Sequence, residues 1–232
     1  MESGNAPFAP ERFLCSQEKL GEKFAFATDY GIQLQDYHFN FFKNFKEPYS
    51  MDHTKCTLYS GGLKGAEATF GEAAEKMNIK EVIYTFEGHK LSRDKNAVIL
   101  SQEELERGDI SMELASRMLN RTYYETDKIR KVLQTIFHMV NSGHQVFVIG
   151  SIQIDGSVKG GTGWAVELAK MFNRPLHVFD QPSKQWFTWK DGWKEDAPKI
   201  EYDTFVGSGT RYLSDAGREA IEKLFADSFT QR

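Results

Sequence analysis

Apolar positions follow two different spacings from residue 55 to the end of the chain. Short and nearly continuous apolar runs, rich in Val, Ile and Phe, predict strands that are covered on both faces. These runs occupy 55–60, 81–86, 96–101, 145–150 and 175–180. Between them, apolar side chains recur at i, i+3 and i+4, a spacing typical of helices packed on a core. The predicted helices are 64–77, 122–142, 163–172 and a last one from Ser214 to about Phe225.

Strands that alternate with helices indicate βαβ units and a parallel sheet. We therefore predict an α/β fold, a Rossmann-like three-layer α/β/α arrangement with a mainly parallel sheet. Helix ends follow from local sequence. Ser101 and Glu104 have the spacing of a capping box, Gly143 predicts a left-handed helix end, and Ser214 predicts a helix start.

Residues 1–54 do not show the apolar spacings of the rest of the chain. Pro7, Pro10 and Pro48 flank the aromatic-rich stretch DYHFNFFKNF, in which no single period dominates. We interpret 1–54 as an N-terminal extension packed on the core, and 55–232 as one Rossmann-like nucleotide-binding domain. A chain of 232 residues is long enough for one substantial core.

Charge and composition narrow the classes of partner. A net charge of -4 and a pI near 5.9 argue against a nucleic-acid partner, because such binding depends on neutralising phosphates. No apolar run approaches the roughly 20 residues that span a bilayer, and no signal peptide is evident, so we expect a cytoplasmic protein without a membrane partner. Cys15 and Cys56 match no metal-ligand spacing, so we expect reduced thiols and no metal site.

Two glycine-rich turns each lie between a predicted strand and a predicted helix. Glycine lets backbone N–H groups approach a ligand, and a helix N-terminus adds unpaired donors and a positive dipole end. Each turn therefore has the chemistry of a phosphate cradle, although glycines at such turns also serve tight packing. The predicted ligand-binding residues are Ser60, Gly61, Gly62, Lys64, Gly65 and Glu67 in the first turn, and Gly160, Gly161, Thr162 and Gly163 in the second.

Topology predicts where these turns meet. In a doubly wound sheet the first strand commonly lies beside the fourth, and ligands bind outside the carboxyl ends at that point. The two glycine turns follow the first and fourth predicted strands, so we expect them to face each other across one crevice. Asp180 and Gln181 directly follow another predicted strand and belong to the same rim.

Three charged residues near this crevice have alternative interpretations. Glu67 and Glu167 lie on the helices that follow the glycine turns, where a carboxylate can bind a ligand or simply stabilise the helix dipole. Arg121 precedes a predicted helix start, where it can recognise an anion or be a solvated surface charge.

The segments YSGGLKGAEATFGEAAEKMNI and KGGTGWAVELAKMFNRPLHVFD resemble the paired motifs of the SLOG superfamily. This Rossmann-like group includes molybdenum-cofactor carrier proteins, the Lonely Guy phosphoribohydrolases and the DNA-processing protein A family. The matching elements, within about 55–181, are Ser60-Gly61-Gly62, Arg121-Thr122, Gly160-Gly161-Thr162 and Arg174-Pro175.

The resemblance implies two functions that share one site. In the enzyme hypothesis, the protein hydrolyses the N-glycosidic bond of a nucleoside 5′-monophosphate, with Glu167 stabilising an oxocarbenium-like sugar and Arg121 orienting the nucleotide as catalytic residues. In the binding hypothesis, the crevice holds a nucleotide-like cofactor of the molybdopterin type, or a signalling nucleotide, without turnover. The resemblance names no particular cofactor, implies a homo-oligomer, and extends to DNA handling only through the third family.

Overall fold

The computed structural model describes residues 52–123 and 126–229, and the fold below is that of the unit Ser50–Arg232. The predicted N-terminal extension lies, up to residue 51, outside the described residues. The described part of the chain forms an α/β fold around an eight-stranded sheet with strand order β3-β2-β1-β8-β4-β5-β6-β7. The strands are β1 (Thr57–Ser60), β2 (Lys80–Thr85), β3 (Ala97–Ile99), β4 (Gln145–Gly150), β5 (Leu176–Asp180), β6 (Gln185–Trp189), β7 (Trp193–Asp196) and β8 (Thr204–Gly209).

The sheet is mainly parallel, as predicted. All neighbouring pairs from β3 to β5 are parallel, and the pairs β5–β6 and β6–β7 at one edge are antiparallel. A short 3-10 turn at His53–Lys55 precedes β1. The helices are α1 (Ala66–Lys76), α2 (Gln102–Glu106), α3 (Asp109–Leu119), α4 (Asp127–Ser142), α5 (Thr162–Met171) and α6 (Asp215–Phe229).

Two of the predicted helix ends are confirmed and one is wrong. Ser101 and Glu104 form the capping box of α2, and the Ser214 side chain accepts a hydrogen bond from the Gly217 N–H at the start of α6. Gly143 ends α4 in an extended conformation with φ of -93° rather than in the left-handed region, because the chain passes directly into β4.

One topological prediction is wrong. β1 and β4 are not neighbours, because β8 lies between them and pairs in parallel with both. Phe205 and Val206 are fully buried, and the missing side chain of Gly207 leaves room for the Phe70 ring. A strand from the C-terminal part of the chain therefore occupies the centre of the sheet.

The core has two halves, one on each face of the sheet. Along β4, Val146 and Val148 face the half built with α3, α4 and α5, while Phe147 and Ile149 face the half built with α1 and α6. This alternation between two helical layers produces the predicted three-layer α/β/α arrangement. None of the helices in the described residues has both the length and the apolar character required to cross a bilayer.

Candidate functional site

A cleft of about 590 Å³ opens at the carboxyl ends of β1, β8 and β4. Its walls come from the first glycine loop (61–65), the second glycine loop (159–163) and the turn after β8 (208–212), which we call the β8 loop. The lining residues are Leu63, Lys64, Glu67, Val132, Leu133, Ile136, Gly150, Ser151, Lys159, Gly160, Gly161, Thr162, Gln181, Ser208, Gly209, Thr210, Arg211 and Tyr212.

Parallel pairing explains why these loops converge. Because β1, β8 and β4 run in the same direction, their carboxyl ends lie at one edge of the sheet, and each is followed by a turn leading towards a helix or loop. The two glycine loops therefore lie at the same end of the sheet, as expected. They are separated by the β8 loop, which sequence analysis did not assign to the site.

The first glycine loop is filled by a side chain of its own chain. Glu67 is only 6% exposed, and its carboxylate accepts hydrogen bonds from the Leu63 N–H at 3.1 Å and the Ser208 hydroxyl at 3.2 Å. A Cβ on Gly61 would lie 2.7 Å from the carboxylate oxygen, so glycine is required there for the close approach. Burial raises the pKa of Glu67 to about 7, against the opposing effect of these hydrogen bonds.

The remaining predicted residues of the first loop mostly serve packing. Ser60 is fully buried, and its hydroxyl donates to Glu81 instead of facing the cleft. The Gly62 carbonyl accepts hydrogen bonds from the N–H groups of residues 92 and 93. Gly65 has φ of +97°, and a Cβ there would lie 2.5 Å from the Thr210 carbonyl oxygen. Lys64, by contrast, is exposed and lines the cleft.

The second glycine loop is open. Among the described residues, and apart from the adjacent residues of the loop, no atom lies within 4 Å of the positions that a Cβ on Gly160 or Gly161 would occupy. Thr162 begins α5 and lines the cleft. The residue is 8% exposed, and its hydroxyl has no hydrogen-bond partner among the described residues. The positive end of the α5 dipole therefore faces open space beside a hydroxyl group that has no hydrogen-bond partner among the described residues.

Arg121 lies behind the second glycine loop and does not line the cleft. Its guanidinium donates to the Gly160 carbonyl at 2.7 Å, to the Val158 carbonyl at 3.0 Å and to the Gln153 side chain at 3.2 Å. A Cβ on Gly163 would lie 2.7 Å from this guanidinium. Gly163, which was predicted to bind the ligand, therefore serves packing. Arg121 thus fixes the shape of the loop through its backbone.

Glu167 is also outside the cleft lining. It is 5% exposed and accepts a hydrogen bond from the Lys170 ammonium group at 2.9 Å, one turn along α5. That ammonium group lies 3.9 Å from the centroid of the Trp189 ring and 5.4 Å from that of Trp193. The carboxylate is therefore part of a shielded contact between α5 and the β6–β7 edge.

Three cationic side chains surround the opening of the cleft. Lys64, Lys159 and Arg211 are exposed, one from each of the three loops. None of them forms a salt bridge with another residue of the described ranges. The local charge is thus positive although the whole chain has a net charge of -4, which favours an anionic ligand.

Contacts to the first helix and to β5 hold the β8 loop in place. The Thr210 carbonyl accepts a hydrogen bond from the Ala66 N–H at 3.0 Å. This N–H group, at the start of α1, therefore has a partner within the chain. Gln181 donates to the Tyr212 carbonyl at 3.2 Å and accepts from the Ser214 N–H at 2.7 Å. Gln181 lies in the cleft rim as predicted, whereas Asp180 accepts hydrogen bonds from Ile152 and Ser183.

The chemistry of the cleft matches an anion better than a metal ion. Within residues 52–123 and 126–229, no group of three or more His, Cys, Asp or Glu side chains is arranged to hold a metal ion.

Comparisons with protein-family models, with curated proteins and with solved structures find no match.

Proposed function

We propose that this chain binds a small phosphorylated, nucleotide-like ligand in the cleft, with the phosphate at the second glycine loop. The observation on which the proposal rests is the open start of α5, where Gly160 and Gly161 face free space beside the unpartnered hydroxyl of Thr162. Backbone N–H groups at a helix start, a hydroxyl donor and nearby cations form a common binding arrangement for phosphate.

The size of the cleft supports a ligand larger than phosphate alone. A volume of about 590 Å³ lies within the range of small-molecule sites, roughly 300–1,000 Å³. The wall formed by Val132, Leu133 and Ile136 is apolar, and Tyr212, 82% exposed, lies at the rim. These groups suit the flat, partly apolar base of a nucleotide-like molecule.

Binding without turnover is the form of the proposal that the geometry favours. Glu167 and Arg121, the residues that the family resemblance implies for catalysis, are engaged in contacts outside the cleft lining. We therefore place a carrier or sensor of a nucleotide-like cofactor ahead of a phosphoribohydrolase. Incubation with a panel of nucleoside 5′-monophosphates should release no free base by chromatography, and steady base release would reverse this order.

Calorimetric titration with AMP tests binding directly. We expect Lys159→Ala and Arg211→Ala each to weaken binding by about three- to tenfold, because each removes a cation from the cleft opening. Lys194→Ala is the matched control: Lys194 is exposed on β7, at the far edge of the sheet from the cleft, and its loss should leave the affinity unchanged. Equal effects of all three substitutions would refute a localised phosphate site.

Membership of the SLOG superfamily, a cytoplasmic location and a homo-oligomeric state are further parts of the proposal.

The described surface supports self-association at α3, where Ile110, Leu114 and Met118 are 81%, 47% and 55% exposed at one-turn intervals. Glu113 and Arg117 on the same helix have opposite charges. Two antiparallel copies of this helix would therefore place opposite charges near each other. Sedimentation analysis of the wild type and Leu114→Arg tests this assignment.

A further inference from the structure

The two glycine loops are not equivalent as anion sites, although their sequences are similar. In the first loop, the carboxylate of Glu67 already accepts the Leu63 N–H and the Ser208 hydroxyl. The N–H of Ala66, at the start of α1, is taken by the Thr210 carbonyl. Two donors that a strand–glycine–helix turn would offer to a phosphate, the N–H groups of Leu63 and Ala66, are therefore used within the chain.

The geometry of the first loop shows that the carboxylate is closely fitted. Glu67 Oε2 lies 2.7 Å from the position of a Cβ on Gly61, so the loop backbone wraps the carboxylate. Glu67 is 6% exposed, and its neighbour Ser208 is 3% exposed. A carboxylate held this closely occupies the place of an anion in the loop.

The second loop has the opposite character. Gly160 and Gly161 meet no atom within 4 Å, and the Thr162 hydroxyl is unpartnered among the described residues. Lys159 is exposed beside it. The cleft therefore contains one open glycine loop and one glycine loop that is filled by a side chain of the same chain.

We propose that the cleft selects ligands with a single phosphate group, and that Glu67 excludes a second phosphate by occupying the first glycine loop as an internal anion. This inference rests on the proposed function, since it concerns the same cleft. A phosphate brought near Glu67 would meet a buried like charge, and the N–H groups of Leu63 and Ala66 would already be engaged. Like charges at low local dielectric repel strongly. The ligand class is then a nucleoside monophosphate or a cofactor with one terminal phosphate, rather than a dinucleotide or a nucleoside diphosphate.

The charges around Glu67 determine the conditions of a test. Glu81 lies close enough to raise the pKa of Glu67, and Lys64, Lys159 and Arg211 line the same cleft. Because burial raises the pKa of Glu67 to about 7, titrations at about pH 8 keep most of this carboxylate ionised. Inorganic phosphate and pyrophosphate are suitable probes, since they differ in phosphate number and contain no base.

Titration of the full chain with both probes, in the wild type and in Glu67→Ala, tests the inference. A cationic site ordinarily binds pyrophosphate more tightly than phosphate, because pyrophosphate carries more negative charge. If Glu67 excludes the second phosphate, the wild type should bind pyrophosphate no more tightly than phosphate. Glu67→Ala frees the first loop, and its preference for pyrophosphate should rise by about tenfold or more, the scale of one charge-assisted hydrogen bond.

The outcomes separate the two proposals. If the wild type binds neither probe nor AMP, the proposed function fails, and the selectivity inference fails with it. If the wild type binds phosphate but prefers pyrophosphate by about tenfold, only the inference is overturned. An unchanged ratio in Glu67→Ala also overturns it. If that variant does not fold, Glu67→Gln replaces it, and loss of the charge alone should still raise the relative affinity for pyrophosphate.

Discussion

Replacing Glu67 with Gln changes the charge of the first glycine loop while keeping its shape. In the wild type, one carboxylate oxygen accepts the Leu63 N–H and the other accepts the Ser208 hydroxyl. A Gln oxygen can keep the first hydrogen bond. The Gln amide can donate to the Ser208 hydroxyl oxygen, since a hydroxyl can rotate and accept. The substitution should therefore remove a buried charge while Leu63 and Ser208 both keep a hydrogen bond to residue 67.

The raised pKa determines the size and sign of the effect on stability. The pKa of Glu67 is about 7 in the folded chain, whereas the ordinary pKa of a glutamate is 4.5. Because the folded pKa is higher, the stabilising contribution is complete below about pH 4.5 and is lost as the pH rises through 7. A difference of about 2.5 pKa units corresponds to about 3 kcal/mol. The wild type should thus lose about 3 kcal/mol relative to Glu67→Gln between pH 4 and pH 8.

Urea denaturation of both proteins at several pH values measures this quantity. The difference between the two free energies of unfolding cancels the titration of every other group that the substitution leaves unchanged. We expect this difference to shift in favour of Glu67→Gln as the pH rises from about 4 to 8. A difference that stays constant with pH would refute the account of Glu67 as a buried carboxylate, as would a shift in the opposite direction.

Four further perturbations test other parts of the structure. Gly65→Ala should destabilise the fold by about 2 kcal/mol or more by chemical denaturation, because its φ of +97° and the close Thr210 carbonyl exclude a side chain. Gly161→Val should leave the unfolding midpoint nearly unchanged, since the site is open, but should remove the thermal stabilisation by AMP; retained stabilisation would place the phosphate elsewhere. Arg121→Ala should weaken AMP binding by about tenfold in calorimetry through loss of loop order, whereas an unchanged affinity would show that the loop keeps its shape alone. Burial lowers the pKa of His177 from 6.5 to about 4, so the fold should lose about 3 kcal/mol as the pH falls from 6.5 to 4; a His177→Gln variant with the same pH slope would contradict this.

The β4 strand could be predicted because it is a continuous apolar run. β4 is buried along its whole length, and its predicted bounds, 145–150, match the structure. β8 could not be found in the same way, because its sequence TFVGSG has only two apolar side chains. Its position depends on Gly207, which accommodates the Phe70 ring from a distant helix. That packing is long-range and leaves no periodic pattern in the strand itself.

The site was predictable at the level of loops but not of side-chain direction. Parallel strands bring their following turns to one edge, so the convergence of the two glycine loops followed from the order of elements. The role of Glu67 could not be predicted, because it depends on a hydrogen bond from Ser208, which is distant in sequence. Two other features of the site could have been found in the sequence. Lys170 lies three residues after Glu167, a spacing typical of helical ion pairs, and so indicates the contact that engages Glu167. The GSGT segment repeats the strand–glycine–helix pattern and so indicates the β8 loop.

The most direct test of the phosphate position is an amide NMR titration of the isotope-labelled chain with AMP. We expect the largest shift changes at Gly160, Gly161 and Thr162, with a second group at Arg211 and Tyr212, while the amide of Leu63 stays hydrogen-bonded to Glu67 and moves little. No saturable change at these amides up to about 10 mM AMP would contradict the account, as would changes concentrated in the first glycine loop.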